Sequence, residues 1–215
     1  MKFVPFRTSD HGYGTRLDAS DQAIRGLDWV DSVGVMHRDI KPTNILVSFC
    51  PEAATKIADF GHAIVADQSE EDQKGTVRCH TPEIRALEEG RENAPPYDKR
   101  ADICSLAYIL FDHHHGNNKE RENTDLALEM FHELVLKRLR QWRLSIDEPI
   151  ERMFVWDTSQ RAPLRDIAAW TGWPGNGTRQ QDLYTEAKRR DLPAADADIR
   201  ALSGKRRAPP MSTFD

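Results

Sequence analysis

The chain has 215 residues, of which 30% are charged and 39% are hydrophobic, and its formal net charge at pH 7 is −5. This length suits one domain, or one domain with a tail, and a mean hydropathy of −0.67 argues against a membrane protein. No apolar run approaches the roughly 18–20 residues of a transmembrane helix, and the acidic balance counts against nucleic acid as the main partner.

The first half of the chain predicts one helix and one β-hairpin. Ser20 suits an N-cap, and helical spacing follows at Ala23, Ile24, Leu27 and Val30. We therefore predict a helix that starts at Ser20 and ends at Gly34. Two short β-prone runs, residues 45–49 and 55–58, predict the hairpin. Residues 61–96 are charged and glycine-punctuated, so we predict mostly loop, of a length that usually carries function.

The second half predicts helices. Residues 101–111 are apolar on nearly every side, which is typical of a buried central helix. Residues 124–142 form an amphipathic pattern with acidic residues early and basic residues late, matching the helix dipole. Shorter helices are predicted near 147–156 and 163–170. The predicted fold class is therefore mainly α with a small β-hairpin.

The polarity of the chain changes after residue 174. We predict a domain over residues 1–174 and a polar, weakly ordered tail over 175–215, which carries basic triplets at 188–190 and 205–207. The N-terminus lacks a continuous apolar stretch, so we expect no secretory signal. Three cysteines without metal-type spacing predict reduced thiols and a cytoplasmic or nuclear protein: Cys50, Cys79 and Cys104.

Three short motifs, in a fixed order, carry the functional signal. Residues 37–44 read H-R-D-I-K-P-T-N, residues 59–61 read D-F-G, and residues 81–83 read T-P-E. The predicted hairpin lies between the first two. This order and spacing resemble the eukaryotic protein kinases of the Ser/Thr type, whose signatures include H-R-D-x-K-P-x-N, D-F-G and A-P-E. Thr81 stands where the family carries Ala.

The resemblance implies a fold. It matches residues 1–174 to the C-terminal lobe of the α+β protein kinase-like fold. Nothing before His37 offers the glycine-rich loop, the strand Lys and the helical Glu of the family's N-terminal β lobe. We therefore expect that this lobe is absent, that the chain is a truncated kinase domain, and that it has little activity alone.

The resemblance also implies catalytic and cofactor-binding residues, because phosphoryl transfer depends on positioning and charge neutralisation. Asp39 would accept or orient the proton of the attacking hydroxyl, and Lys41 would neutralise charge on the transferred phosphoryl group. Asn44 and Asp59 are hard oxygen ligands that would hold Mg²⁺ on the phosphates of ATP. Leu46 would lie beneath the adenine ring.

Further matches imply supporting roles. Asp102, inside the apolar helix, would brace the backbone of the catalytic loop, since a buried carboxylate needs partners. Arg161 would form a partly buried ion pair with Glu83, and Thr76 would bond the catalytic Asp and Lys. His37 and Phe60 would stack in the core under the nucleotide site, and Gly61 would be a structural residue of the D-F-G motif.

Arg38 predicts a regulatory contact. In kinases with Arg at this place, a phosphate on the activation segment often pairs with it and orders the loop. Here residues 69–72 read S-E-E-D. We hypothesise that this acidic cluster partly substitutes for a phosphate, against the simpler interpretation of a solvated run of charges.

Three functions are compatible with these motifs. The first is a Ser/Thr protein kinase that transfers the ATP γ-phosphate to protein hydroxyls; its partner would be a protein substrate, with no nucleic acid and no membrane. The second is a non-catalytic kinase-like module that binds a protein partner on the exposed lobe-facing surface. Intact Asp39, Asn44 and Asp59 argue against it. The third is a small-molecule phosphotransferase, which the Lys41-Pro42 pair disfavours.

Overall fold

Helices dominate the part of the chain that the computed structural model describes, which comprises residues 4–6, 13–48, 54–71, 80–115 and 128–168. The α-helices in these ranges are α1 (Tyr13–Ser32), α2 (Pro82–Glu88), α3 (Arg100–His115), α4 (Leu128–Trp142), α5 (Asp147–Met153) and α6 (Leu164–Ala168). Short 3-10 turns cover Pro42–Asn44 and Thr158–Gln160. The prediction of a mainly helical fold is confirmed.

The strands form two small antiparallel sheets. They are β1 (Val4–Pro5), β2 (Val35–Met36), β3 (Ile45–Ser48), β4 (Ala54–Ile57) and β5 (Ile64–Val65). One sheet has the order β1-β3-β4 and the other pairs β2 with β5. The predicted hairpin is confirmed as β3–β4, with Ile45 opposite Ile57. The other three strands have two residues each, too few for an alternating pattern to show in sequence.

The predicted start of the first helix at Ser20 is wrong, because α1 already begins at Tyr13. Ser20 is buried in the helix interior, where its hydroxyl donates to the carbonyl of Arg16 at 2.8 Å and lies 2.9 Å from Nε2 of His114. A serine that bonds the preceding turn is satisfied without capping, and sequence alone does not separate the two uses. The helix ends at Ser32, and Gly34 follows with φ +76°.

The predicted central helix is confirmed: in α3 every residue from Ala101 to Phe111 is buried. α3 packs against α1 and α5, while α1 also packs against β4 and α6. The ring of Tyr108 meets the ring of Phe154 edge to face at 4.4 Å between centroids. The helix continues to His115, whose Nε2 lies 2.8 Å from Oδ1 of Asp147. α3 is therefore the central buried helix, and the loops that are described below pack against it.

Most of the other predicted elements have the predicted type in the structure, but their first and last residues differ from the predicted ones. α4, α5 and α6 lie within the predicted ranges 124–142, 147–156 and 163–170. Residues 61–96 contain β5 and α2, so the prediction of loop is wrong over those elements. A seven-residue helix shows no clear periodicity, and tertiary contacts hold α2 in place. The predicted tail, 175–215, lies outside the described residues.

No helix in the described ranges combines the length and the apolar character that crossing a bilayer requires. The buried apolar residues in those ranges pack helix against helix and helix against sheet. The main cluster joins residues of α1, β3, α3, α4, α5 and α6.

His132 on α4 predicts a measurable pH dependence of stability. Its ring stacks on Phe154 with 4.2 Å between centroids and meets Trp156 edge to face. Burial, and secondarily the charge of Arg161, lowers the pKa of His132 to about 4. Between pH 6.5 and 4 the unfolded chain therefore binds a proton that the folded chain does not, so the free energy of unfolding falls as the pH falls.

The variant His132→Phe keeps the stacking and removes the titration. From pH 7 to pH 5, we expect wild type to lose about 1 kcal/mol more stability than this variant, after allowance for solvent screening. Urea unfolding at the two pH values measures the difference. His62→Gln, at an exposed histidine, is the matched control and should behave as wild type. Equal pH dependence in His132→Phe and wild type would show that His132 does not contribute.

Candidate active site

The loop between β2 and β3 brings three predicted catalytic residues together. Pro42 starts the 3-10 turn that leads into β3, and its fixed φ suits that position. The turn places Asn44 so that its Nδ2 donates to the Asp39 carbonyl at 2.9 Å and to Oδ2 of Asp39 at 3.0 Å. Nζ of Lys41 donates to the same Oδ2 at 2.7 Å. The Asp39 carboxylate is thus oriented through one oxygen by two donors.

The conformation of this loop depends on α3. Asp102, in the first turn of α3, accepts the backbone N–H of His37 at 2.6 Å and that of Arg38 at 2.8 Å. Arg38 has φ +65°, a left-handed conformation that costs free energy at a non-glycine residue. Such a conformation persists only where the surrounding residues hold it. Burial raises the pKa of the Asp102 carboxyl to about 7, while the two N–H donors oppose that rise.

His37 connects the loop between β2 and β3 to the residues that follow β4. Its ring is buried, and burial lowers its pKa. Nδ1 accepts the N–H of Asp39 at 3.3 Å, so the neutral ring carries its proton on Nε2, which lies 3.0 Å from the Ala58 carbonyl. Phe60 contacts the ring at 4.8 Å between centroids, yet its side chain is 46% exposed. The predicted contact exists, but the prediction that Phe60 lies in the core is wrong.

Two oxygen-bearing side chains lie beside the loop and could hold a divalent cation. The N–H of Ala58 donates to the Asn44 carbonyl at 2.8 Å, which holds Asp59 next to the catalytic loop. The Asp59 carboxylate is exposed, and a Cβ added at Gly61 would lie 3.3 Å from its Oδ1. A carboxylate and an amide oxygen suit Mg²⁺, which binds through few protein ligands together with phosphates and water.

In the described ranges, no group of three or more His, Cys, Asp or Glu side chains could hold a metal ion. A cation at Asn44 and Asp59 would complete its shell with phosphate oxygens and water. Leu46, the predicted neighbour of adenine, lies half-buried on β3, opposite Lys56 on β4 and Pro5 on β1. Thr76 lies outside the described residues.

The guanidinium of Arg38 reaches the segment that follows β5. Its Nε donates to the His62 carbonyl at 2.7 Å, and its Nη1 donates to Oε2 of Glu71 at 2.7 Å. Burial by itself lowers the pKa of Arg38, but the hydrogen bonds to Glu71 and Tyr97 outweigh it and the pKa lies above its ordinary value. Within the predicted acidic cluster, Glu71 makes this contact and Glu70 is exposed. Asp72 lies outside the described residues.

A second ion pair fixes the frame behind the site. Nη1 of Arg161 donates to Oε1 of Glu83 at 2.6 Å, and Nη2 donates to Oε2 at 3.2 Å. The same guanidinium donates to the carbonyls of Arg100 and Val155 at 2.6 and 3.1 Å. It therefore joins α2, the start of α3 and the loop after α5. Burial by itself would lower the pKa of Arg161, but neighbouring groups, Glu83 among them, raise it.

Sequence reasoning missed Tyr97. This residue directly follows the stretch 61–96, for which we predicted mostly loop, yet it is fully buried against Ile84 and Ala101. Its backbone forms an antiparallel bridge with Ser69, with both N–H···O distances 2.9 Å. A lone aromatic residue after two prolines was the only signal in the sequence.

Comparisons with known proteins agree with the motifs. The family described as "Protein kinase domain" matches residues 15–169. The chain is 34% identical over 177 residues to the serine/threonine-protein kinase chk-2 of Caenorhabditis elegans, covering 78% of this chain and 36% of that protein. It is 27% identical over 188 residues to the serine/threonine-protein kinase dst2 of Dictyostelium discoideum, covering 76% and 16%.

An Aurora kinase of Eremothecium gossypii is 25% identical over 152 residues, covering 68% of this chain and 38% of that protein. The chain therefore spans well under half of the length of each of these relatives. The three alignments each include more than two thirds of the present chain.

Proposed function

This chain belongs to the eukaryotic protein kinase family, and from that premise we propose that it transfers the γ-phosphate of ATP to Ser and Thr hydroxyls of a protein substrate. The observation that supports the proposal most is the oriented Asp39 carboxylate. It is 5% exposed, and Lys41 and Asn44 both donate to its Oδ2. Oδ1 receives neither donor and is the atom that would accept the proton of the attacking hydroxyl.

The other residues of the loop act on charge and position. Lys41 lies beside Asp39 with a quarter of its side chain exposed, so its ammonium can face both the carboxylate and an arriving phosphoryl group. Asn44 holds the Asp39 backbone and side chain in one orientation. Asp102 prevents the loop from relaxing by holding the N–H groups of His37 and Arg38. This preorganisation lowers the barrier by fixing the reacting groups in advance.

Asn44 and Asp59 would hold Mg²⁺, which when bound neutralises negative charge on the nucleotide phosphates. The exposure of Asp59 leaves its carboxylate accessible to a ligand. Leu46 offers an apolar side chain to an adenine ring.

A second candidate is a non-catalytic kinase-like module that binds a protein partner. Exposed apolar side chains in the described ranges favour it, since such side chains often mark interaction surfaces. They include Phe60, Val65, Trp29 and Val33. This candidate predicts no phosphate transfer by the wild-type chain.

The Mg²⁺ requirement tests the proposed kinase. We expect Asp59→Asn to raise the Mg²⁺ concentration for half-maximal transfer by about tenfold or more, because an amide lacks the carboxylate charge. Transfer of radioactive phosphate from γ-labelled ATP to a generic protein substrate, over a Mg²⁺ series, measures it. The control Asp67→Asn changes an exposed carboxylate that lies after β5, and it should not change the Mg²⁺ concentration for half-maximal transfer.

Two results would count against this account. Wild-type protein that transfers no phosphate at any Mg²⁺ concentration would favour the binding module. An Asp59→Asn series identical to wild type would contradict the role of Asp59 while leaving the kinase assignment in place.

A further inference from the structure

A cavity of about 430 Å³ lies between α4 and α5, and its lining residues all fall within 129–156. None of them belongs to the candidate active site. The volume is in the range that is typical of small-ligand sites. The lining includes the apolar side chains of Leu136 and Val155 and the exposed side chains of Glu133 and Trp156, so the cavity is open to solvent. The proposed phosphate transfer gives this cavity no role.

Two aromatic residues line the cavity. Trp156 is 36% exposed, and its ring meets the ring of His132 edge to face with 5.0 Å between centroids. His132 is 2% exposed, and its buried Nδ1 has no hydrogen-bond partner in the described ranges. A buried polar atom without a partner costs free energy, which a ligand can offset by supplying a hydrogen bond. Burial lowers the pKa of His132 to about 4, so the ring is neutral at pH 7 and does not repel a cation.

The charged side chains that line the cavity are mostly acidic. The lining has three carboxylates, those of Glu129, Glu133 and Glu151, and one guanidinium, that of Arg140. Glu151 accepts a hydrogen bond from Nε of Arg140 at 2.7 Å, and Glu129 pairs with Arg91 at 3.1 Å. Glu133 is exposed and forms no ion pair with the residues that the structure describes. Its carboxylate is therefore available to a cationic ligand.

The cavity has a neighbour along the same two helices. A second cavity of about 370 Å³ shares Arg140 and Glu151 with the first, and its lining includes Leu144 and Glu148, after the end of α4 and at the beginning of α5. The pair of Arg140 with Glu151 thus borders both cavities. We call the two cavities together the α4–α5 groove. A groove of this form suits an extended segment of polypeptide better than a free small molecule, because such a segment can occupy both cavities.

We propose that the α4–α5 groove binds a segment of a partner protein, and that an arginine side chain of this segment enters the first cavity. Its guanidinium would stack on the exposed ring of Trp156, donate hydrogen bonds to Glu133 and supply a cation beside the neutral ring of His132. Arginine fits better than lysine, because the planar guanidinium stacks on aromatic faces and donates through several N–H groups in a fixed geometry. This inference goes beyond the proposed function and does not depend on it, since binding is measured without ATP.

Nuclear magnetic resonance of the full chain tests the groove with a defined probe, a pentapeptide with one central arginine between alanines and with both ends blocked. We expect the peptide to shift the indole N–H signal of Trp156 in a saturable way; the variant Trp156→Phe identifies that signal. A peptide with citrulline in place of arginine has the same shape without the charge and should bind at least about tenfold more weakly. A lysine peptide should bind about threefold more weakly than the arginine peptide.

Variants of the full chain locate the site. Glu133→Gln should weaken binding of the arginine peptide about tenfold and leave the melting temperature unchanged, because a charge-assisted contact to the ligand is lost and no ion pair within the chain is broken. Glu92→Gln makes the same change of net charge at an exposed residue outside the groove and should leave the affinity unchanged.

Several results would overturn the proposal. They are the lack of any saturable shift of the Trp156 signal, equal affinity for the arginine and citrulline peptides, and an equal affinity of Glu133→Gln and Glu92→Gln for the arginine peptide. A lysine peptide that binds as tightly as the arginine peptide would overturn the choice of arginine. Blocked arginine alone that binds as tightly as the pentapeptide would overturn the assignment to a polypeptide segment, because the second cavity would then contribute nothing.

Discussion

Asp39→Asn is expected to lower the rate of phosphate transfer by about 10²- to 10⁴-fold, the range that a positioned general base contributes. An amide has nearly the shape of the carboxylate and can still accept hydrogen bonds from Lys41 and Asn44 at the distances seen here. It has almost no affinity for a proton at neutral pH. The folded structure and the binding of Mg²⁺-ATP should therefore survive while the chemical step slows.

Single-turnover transfer measures the chemical step, and thermal stabilisation by Mg²⁺-ATP measures binding. Asp18→Asn is the matched control, since Asp18 is exposed on α1 and lies in a different element. Single-turnover rates in Asp39→Asn within a few-fold of the wild-type rate would contradict the role given to Asp39. A loss of stabilisation by Mg²⁺-ATP would instead place Asp39 among the groups that bind the nucleotide complex.

Glu83→Gln is expected to lower the free energy of unfolding by about 3–5 kcal/mol, the usual effect of removing one partner of a buried ion pair. Arg161 is 2% exposed and donates hydrogen bonds to both carboxylate oxygens of Glu83. Without the charge of that carboxylate, the guanidinium keeps only acceptors that carry no net charge, among them the carbonyls of Arg100 and Val155. A buried charge would then remain without a counter-charge.

Urea unfolding measures the loss. Glu89→Gln is the control, because Glu89 pairs with Arg85 and Arg91 at the surface beyond the end of α2, so its replacement should leave the free energy of unfolding nearly unchanged. Replacing both partners, Glu83→Gln with Arg161→Met, should recover part of the loss, since no unpaired charge is left. Equal losses in Glu83→Gln and Glu89→Gln would show that the pair is not strongly stabilising.

The sequence determined the features whose causes are local. Asp39, Lys41 and Asn44 lie within six residues, and a proline-started turn suffices to bring them together. Continuous apolar character marked the buried helix α3, and two β-prone runs marked the hairpin. The motifs 37–44, 59–61 and 81–83 were enough to identify the family, because they specify many residues in a fixed order.

Resemblance to the family predicted contacts between residues that are distant in the chain. The bracing by Asp102 and the pair of Glu83 with Arg161 join residues 65 and 78 positions apart. No periodicity or spacing within the chain would have paired them. Both contacts were predicted by analogy to the family. The structure supplies their distances and their burial, from which their contribution to stability is inferred.

Tertiary packing alone decided the rest. Ser20 could be an N-cap or an interior residue, and its burial against α3 made it the second. Phe60 is 46% exposed, although its ring lies against the ring of His37 at 4.8 Å between centroids. Tyr97 and Glu71 meet Arg38 across 59 and 33 residues. Local sequence patterns predict the structure of one or two turns of the chain. The partner of a buried charge depends instead on how whole helices and strands pack, and this packing depends on the free energy of the entire fold.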